Sequence, residues 1–419
     1  MKRVTTILIL LAVPFSIAFA QLTIDQCQKK ARQNYPQIKQ FELIEKSAEY
    51  NLSNAGKAYL PQVTLSAKAT YQSDAINLNM QVSPTKTLAL HQSKDQYQAV
   101  LEVNQTLWDG GVTSTQKNIL KANAEIEKQK LEVDLYTIND RVNQIYFGLL
   151  LINEQLQQNI ILSQELQTNF DKVSAYINNG VANQSDLDAV KLEQLNNIQR
   201  RTELLAARKT YQEMLSAMVG ETVKEVSKPL VESNIDKEAT LNRPELKLFD
   251  SQLRLLENQS RMVQTGIMPK LGLFLQGGYG RPGLNMLNPD FSPFYIGGIR
   301  LSWNISGFYT QKNSQNNLKV SREMVANQME TFVFNNNLKI NQQNNELDKI
   351  KELIKNDDEI IRLHTSIKMA SAAKVENGVQ TVTDLLREIN AESLARQQKA
   401  LHEMQLMLGV YNLKYSTNN

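Results

Sequence analysis

Apolar residues recur along this chain with two periods. From Leu131 the spacing alternates between four and three, through Leu135, Ile138, Val142, Ile145, Leu149, Ile152 and Leu156, and resumes at Leu166, Phe170, Val173 and Ile177. A heptad repeat keeps one stripe turned toward a partner helix, so this spacing predicts a coiled-coil helix. Between Val112 and Asn179 the one glycine is Gly148 and there is no proline; between Phe308 and Asn377 there is neither. Nothing in either stretch interrupts a helix, and each would run about 100 Å at 1.5 Å per residue. The second stripe, Leu347, Ile350, Ile354, Ile361 and Leu363, is less regular, and Asp357-Asp358-Glu359 beside it reads as a solvated face.

After Pro61 the period changes to two. Val63, Leu65, Ala67, Ala69 and Tyr71 alternate with polar residues, a second such run passes through Tyr97, Ala99, Leu101 and Val103, and two more hold Leu271, Leu273, Leu275, Tyr279 and Tyr295, Ile299, Leu301, Trp303. These are strands with one greasy and one wet face. The segments between them, Ser73 to Gln96 and Gly280 to Phe294, read as long loops, and Gly277-Gly278-Tyr279-Gly280 as a turn.

Gly180 and Gly378 fall where a helix needs a left-handed closing residue, and Asn183 or Thr381, followed three places on by Asp186 or Asp384, has the form of an N-cap and its partner. Each set predicts a helix, a sharp turn and a returning helix, about Gln184 to Met218 and Val382 to Tyr415. Shorter helices, Ile24 to Tyr59 and Ile235 to Ile267, precede the strands.

The two halves repeat one another. Asn34, Pro36, Lys39, Phe41, Pro61, Leu65 and Tyr71 recur at one fixed offset as Asn242, Pro244, Lys247, Phe249, Pro269, Leu273 and Tyr279; Asn179, Gly180, Val181, Asp186 and Leu187 recur at a shorter offset as Asn377, Gly378, Val379, Asp384 and Leu385. Two copies of one unit, differing in one loop, follow. The expected division is a signal peptide at 1–20, a first repeat at 21–228 with strands about 61–73 and 97–107 and a helical hairpin about 112–218, and a second repeat at 229–419 with strands about 269–279 and 295–305 and a hairpin about 308–415.

Lys2 and Arg3 ahead of an apolar run, ending in Ala18-Phe19-Ala20, form a secretory signal with its cleavage site. The lone cysteine, Cys27, stands seven residues beyond that cut, which argues against lipidation and excludes an internal disulfide. Past the signal no apolar run is long enough for a membrane-spanning helix, so any crossing falls to strands. A formal charge of +3 is too small to suggest nucleic acid. His91, His364 and His402 are scattered, and neither a metal-ligand cluster nor a phosphate-binding glycine loop is present, so no enzyme, metal or cofactor is expected.

The strand lengths match the roughly 9 to 11 residues that a tilted strand needs to cross a bilayer. Tyr59, Tyr71, Tyr97, Trp108, Tyr279, Tyr295 and Trp303 lie near the strand ends, where aromatic side chains suit the headgroup level. A small soluble sandwich is the competing reading, but four strands flanked by long helices have little to pack against. An open four-stranded sheet leaves edges unsatisfied in lipid, so copies must share one closed barrel. Two copies give eight strands and a filled interior; three give twelve and a lumen.

The signal peptide, Tyr59-Leu60-Pro61 opening a strand, Leu107-Trp108-Asp109-Gly110-Gly111 closing its partner, and the paired Asn-Gly-Val…Asp-Leu turns together resemble the TolC family of outer-membrane efflux proteins, over the whole mature chain. The resemblance implies an α+β membrane protein, internally duplicated, with four membrane strands and long coiled-coil helices per chain. A homotrimer would form a 12-stranded β-barrel in the outer membrane, continued by a 12-helix α-barrel in the periplasm. It also implies a passive duct of a tripartite efflux or type I secretion system, docked on a periplasmic adaptor protein and an inner-membrane transporter of RND, ABC or MFS type. The alternative is a periplasmic adaptor, which also bridges membranes with a helical hairpin.

By the same resemblance, Asn179, Gly180, Val181, Asp186, Asn377, Gly378 and Val379 fall at adaptor-binding tips, and Asp384 at the pore constriction. The family's next pore aspartate is replaced by Arg387, and its gate-locking tyrosine and arginine fall on Val375 and Gln380. Tyr71, Tyr97, Trp108, Tyr279, Tyr295 and Trp303 would form the membrane girdle, while Gln62, Thr64, Ser66, Lys68, Arg300 and Ser302 line the lumen.

Overall fold

The computed structural model describes residues 22–180, 182–230 and 241–418; the expected signal segment, Val181 and the expected helix onset at Ile235 lie outside the described residues. In chain order the elements are α1 (Ile24–Asn34), α2 (Gln40–Gly56), β1 (Gln62–Tyr71), β2 (Asn77–Ser83), β3 (Lys86–His91), β4 (Asp95–Trp108), α3 (Val112–Asn178), α4 (Gln184–Val219), α5 (Pro244–Thr265), β5 (Lys270–Arg281), β6 (Ser292–Ser302), α6 (Gly307–Glu376) and α7 (Val382–Thr417). The helix expected over Ile24 to Tyr59 is divided. Pro36 pushes Tyr35 into an extended conformation (φ −66°, ψ 129°), so α1 stops there and α2 starts after a short turn of 3-10 helix.

Two compact units result, one from residues up to Ile38, Leu135–Leu241 and Leu338 onward, the other from Lys39–Asp134 and Asn242–Asn337. The first is helical. Its seam residues Leu135, Ile138, Val142, Ile145, Leu149, Ile152 and Leu156 are all buried, with Leu166 and Val173 beyond them; at roughly 1.5–3 kcal/mol for each fully buried large aliphatic side chain, this stripe holds the helices together far more than propensity does. Gly148 has a packing reason, since a Cβ there would lie 2.3 Å from the Tyr211 ring of α4.

The irregular second stripe has a cause. Leu347 and Ile350 are buried, yet Leu363 is 46% exposed, and the heptad position after Ile354 belongs to Asp357, which is buried rather than solvated. Its carboxylate meets His402 Nδ1 at 2.8 Å, while Asp358 pairs with Lys399. A similar gap between Leu156 and Leu166 is filled by Asn159, whose side-chain amide donates to Asn197 Oδ1 at 2.6 Å across α3 and α4.

The second unit carries an antiparallel sheet in the order β1-β4-β5-β6, with β4 and β5 joining strands from opposite halves of the chain. The expected loop from Ser73 to Gln96 contains a separate hairpin, β2 with β3, whose backbone register pairs Leu78 with Leu90 and Met80 with Leu88. Its alternation is short and set among polar residues, which hid the period. Gly277 to Gly280, read as a turn, lies inside β5. Gly278 stands opposite Phe294, and a Cβ there would sit 2.5 Å from that ring, so glycine lets the ring lie flat across the strand.

Candidate functional site

Two regions bear on function: the faces of the sheet and the ends of the helical hairpins. Strand alternation and register place every residue of the sheet on one of two faces. One holds Val63, Leu65, Ala67 and Ala69 of β1, Ala99, Leu101 and Val103 of β4, Leu271, Leu273 and Leu275 of β5, and Ile299 and Leu301 of β6. No charged residue falls on this face between Tyr71 and Leu301; Asp95 and Arg281, paired at 2.9 Å, stand at its outer end. The other face is wet, with Gln62, Thr64, Ser66 and Lys68 opposite Asn104, Glu102, Val100 and Gln98, and with Arg300 and Ser302 on β6. All six expected lining residues share it.

Among the described residues nothing covers the greasy face. Every residue of β1 is exposed, Leu65 to 75%, and Ile299 and Leu301 on β6 to about 70%. In water an uncovered apolar sheet of this size is a liability. No helix among the described residues is long and apolar enough to cross a membrane.

The six aromatics expected at the girdle are all exposed and fall on the greasy side, Tyr71, Tyr97, Tyr279 and Tyr295 at one end, Trp108 and Trp303 at the other. Sequence reasoning missed Phe291, which stacks on Tyr279 (centroids 5.7 Å apart, 15°) and lies 6.1 Å from Tyr97. From Tyr97 to Trp108, at about 3.4 Å per residue and a tilt near 40°, the band spans about 28 Å, close to the apolar height of an outer-membrane barrel.

Each strand-to-helix junction is tied by a different bond. Asp109 caps α3, with Oδ1 accepting from the Gly111 N–H at 2.9 Å and Oδ2 from the Thr113 N–H at 2.6 Å, and Tyr59 donates its hydroxyl to Oδ1 at 2.8 Å. Burial alone would raise the Asp109 pKa, but hydrogen bonds from Thr113, Tyr59 and Gly111 outweigh it and hold the carboxyl at about 2. At the second junction Trp303, one residue past β6, donates its indole N–H to the Ile267 carbonyl at 2.9 Å.

At the hairpin ends, Gly180 and Gly378 have φ of +73° and +71°, and nothing lies within 4 Å of a Cβ added to either. Backbone conformation, not space, demands glycine at both. Asn179 and Asn377 donate backward to the Ala175 and Ala373 carbonyls, and Val379 is 73% exposed. Asn183 with Asp186, and Thr381 with Asp384, form reciprocal capping boxes. The two hairpins meet here. Ile177, Ala182, Leu187 and Val375 pack around buried Val173, Val190, Val382, Leu385 and Ile389, Lys172 pairs with Glu376 at 3.2 Å, and Asn390 donates to Glu193.

The Asp384 carboxylate accepts from the Thr381 hydroxyl at 2.7 Å and lies 3.6 Å from Arg387. Hydrogen bonds from Thr381 lower its pKa, with a smaller contribution from Arg387. A buried charged group behind the tips was not foreseen. Lys368 of α6 bridges Glu165 of α3 (2.6 Å) and Glu392 of α7, and Glu392 also accepts from Thr365 at 2.7 Å and Arg396 at 2.6 Å. Burial would raise the Glu392 pKa, but bonds from Lys368, Thr365 and Arg396 prevail and hold it at about 2. Among the described residues no group of three or more His, Cys, Asp or Glu could hold a metal ion.

Residues 28–221 match the family model described as outer membrane efflux protein. No curated protein matches the chain. Among solved structures, similar folds include CusC (TM-score 0.69, 12% identity, 94% of this chain and 91% of that one), the CmeC outer membrane channel of Campylobacter jejuni (0.65, 12%, 94% and 85%) and the outer membrane protein VceC of Vibrio cholerae (0.65, 13%, 94% of each). With the two-faced sheet and the paired capped hairpins in one polypeptide, the chain has the fold of these outer membrane channel structures, and its residues 28–221 match the outer membrane efflux protein model of the TolC-type family that its sequence resembles.

Proposed function

We propose that this chain is the outer-membrane duct of a tripartite export system, a passive conduit that carries substrates from an inner-membrane transporter out of the cell. The observation that carries the reading is the two-faced, uncovered sheet: an apolar face of membrane height bounded by aromatics, backed by a polar one. A single chain cannot occupy a bilayer this way. β1 and β6 end the sheet with unpaired edges, whose N–H and C=O groups each cost several kcal/mol in hydrocarbon. Edge pairing β6 to β1 between copies removes both, and three copies give twelve strands around a water-filled lumen.

The hairpin ends, around Asn179, Gly180 and Asp186 and around Asn377, Gly378 and Val379, are then the surface offered to a periplasmic adaptor, as the family resemblance suggests. Asp384 is proposed for the pore constriction on the same ground. A periplasmic adaptor would have no use for four strands of membrane length.

Planar-bilayer recording on the purified, reconstituted full chain tests the reading. Stable ion conductance from an oligomer is the expected result. A water-soluble monomer with no conductance under any applied potential would overturn it.

A further inference from the structure

The wet face of the sheet has a concave seat at its inner end, and we propose that this seat binds small organic anions and sets the barrel's preference for anionic cargo. The inference rests on the duct reading, because only closure of the barrel turns this face into a lumen.

A cavity of about 330 Å³ is lined by Lys270, Arg300, Ser302, Asn104 and Thr106, with Gly272 among them. Register places Gly272 opposite both Arg300 and Thr106, and Lys270 opposite Ser302, so the two cations are diagonal neighbours. Glycine keeps the space between them empty; a Cβ at Gly272 would also come within 3.0 Å of the Gln105 carbonyl.

Neither cation is neutralised. Among the described residues Lys270 and Arg300 form no salt bridge, and the Arg300 guanidinium lies 4.7 Å from the Phe274 ring centre. Asp109 also lines the cavity as a carboxylate held by the neutral donors of Tyr59, Gly111 and Thr113, so the seat carries two cations against one anion. Glu102, the one acid on the wet face, stands opposite Gln276 and accepts from Asn104 at 2.8 Å. Lys68, Lys270 and Arg300 therefore outweigh it.

The chemistry follows. A carboxylate, sulfonate or phosphate head would meet two cations and the neutral donors of Asn104, Thr106 and Ser302, while an aromatic body would lie along Phe274, which shares that face. Three copies bring six such cations, against three Asp109 carboxylates, to one level of the lumen, a net positive ring. With a screening length of about 8 Å at physiological salt, their field reaches well into the bore.

The test compares the reconstituted full chain with the Lys270→Gln/Arg300→Gln double variant in planar bilayers under a KCl gradient. Both substitutions are on an exposed wall and keep a polar side chain. The expected result is a chloride-to-potassium permeability ratio about threefold or more higher in the unaltered channel. Naphthalene-1-sulfonate should also block it at several-fold lower concentration than it blocks the variant, with naphthalen-1-ylmethylammonium showing no such difference. Equal reversal potentials and equal sulfonate block in the two channels would overturn the anion seat while leaving the duct intact. Absence of conductance in both would overturn the duct and the seat together.

Discussion

The Tyr59 hydroxyl donates to Asp109 Oδ1 at 2.8 Å, joining the residue that leads into β1 to the one that caps α3 after β4. One carboxylate thus closes the strand hairpin at its base and starts the longest helix of the first half. Asp109→Ala removes the cap and strands the Tyr59 hydroxyl, and should cost about 1–2 kcal/mol; Tyr59→Phe should cost about half as much. Because the folded pKa is lowered to about 2, below an ordinary value near 3.9, the stabilisation is complete above pH 4 and fades as pH falls toward 2. Denaturant titrations of both variants across that range would show it, and an Asp109→Ala variant as stable as the parent would refute the role.

Glu392 predicts a second acid-sensitive point. Replacing Lys368 with Met leaves the buried Glu392 carboxylate with Arg396 as its remaining counter-charge, and should destabilise the helical unit by roughly 1.5–3 kcal/mol. In the unaltered chain, whose Glu392 is held at about 2, this contribution is present above the ordinary value near 4.3 and is lost as pH falls from there toward 2. Far-UV circular dichroism during acid titration measures it. Identical acid midpoints for parent and Lys368→Met would contradict the assignment.

The Asn159–Asn197 pair sets a register. Asn159→Leu alone leaves the Asn197 amide without its side-chain partner and should cost about 1–3 kcal/mol, whereas Asn159→Leu with Asn197→Leu should recover most of that while loosening the alignment of α3 on α4. Thermal melts establish the energies. A double variant as destabilised as the single one would argue against a paired role.

Gly180→Ala and Gly378→Ala should each cost about 1 kcal/mol through backbone strain alone, since the added methyl meets nothing. Gly180→Asn should cost less, because asparagine tolerates the left-handed region. If alanine proved neutral at both positions, the closing-residue account would fail.

The membrane face makes the sharpest forecast. Leu275→Arg puts a cation on the apolar side and should cost about 2–4 kcal/mol for each copy inserted, whereas Gln276→Arg, one residue on, should assemble normally. Quantifying folded oligomer in outer-membrane fractions separates them. Equal assembly of the two variants would mean that the faces are misassigned.

Much of this was readable from spacing. The heptad of α3, the period-two strands and the capped turns follow from local sequence, and the paired faces from alternation. What escaped were partnerships across long separations. Asp357 sits in the seam spacing but, being an acid among acids, read as part of a solvated face, and no local pattern shows that His402 meets it. Glu392 and Lys368 resembled any surface charges on a helix until α3, α6 and α7 were set side by side. The β2–β3 hairpin was hidden because a few apolar residues among polar ones carry too short a period, and Gly278 read as a turn because its reason, the ring of Phe294, lies on another strand.

The unpaired edges of β1 and β6 have a genetic consequence. If each copy completes its neighbours, a variant with one spoiled edge still enters assemblies through the other and breaks the ring it joins. Such alleles should therefore be dominant over a wild-type copy expressed beside them, while alleles that prevent the chain from folding at all should be recessive.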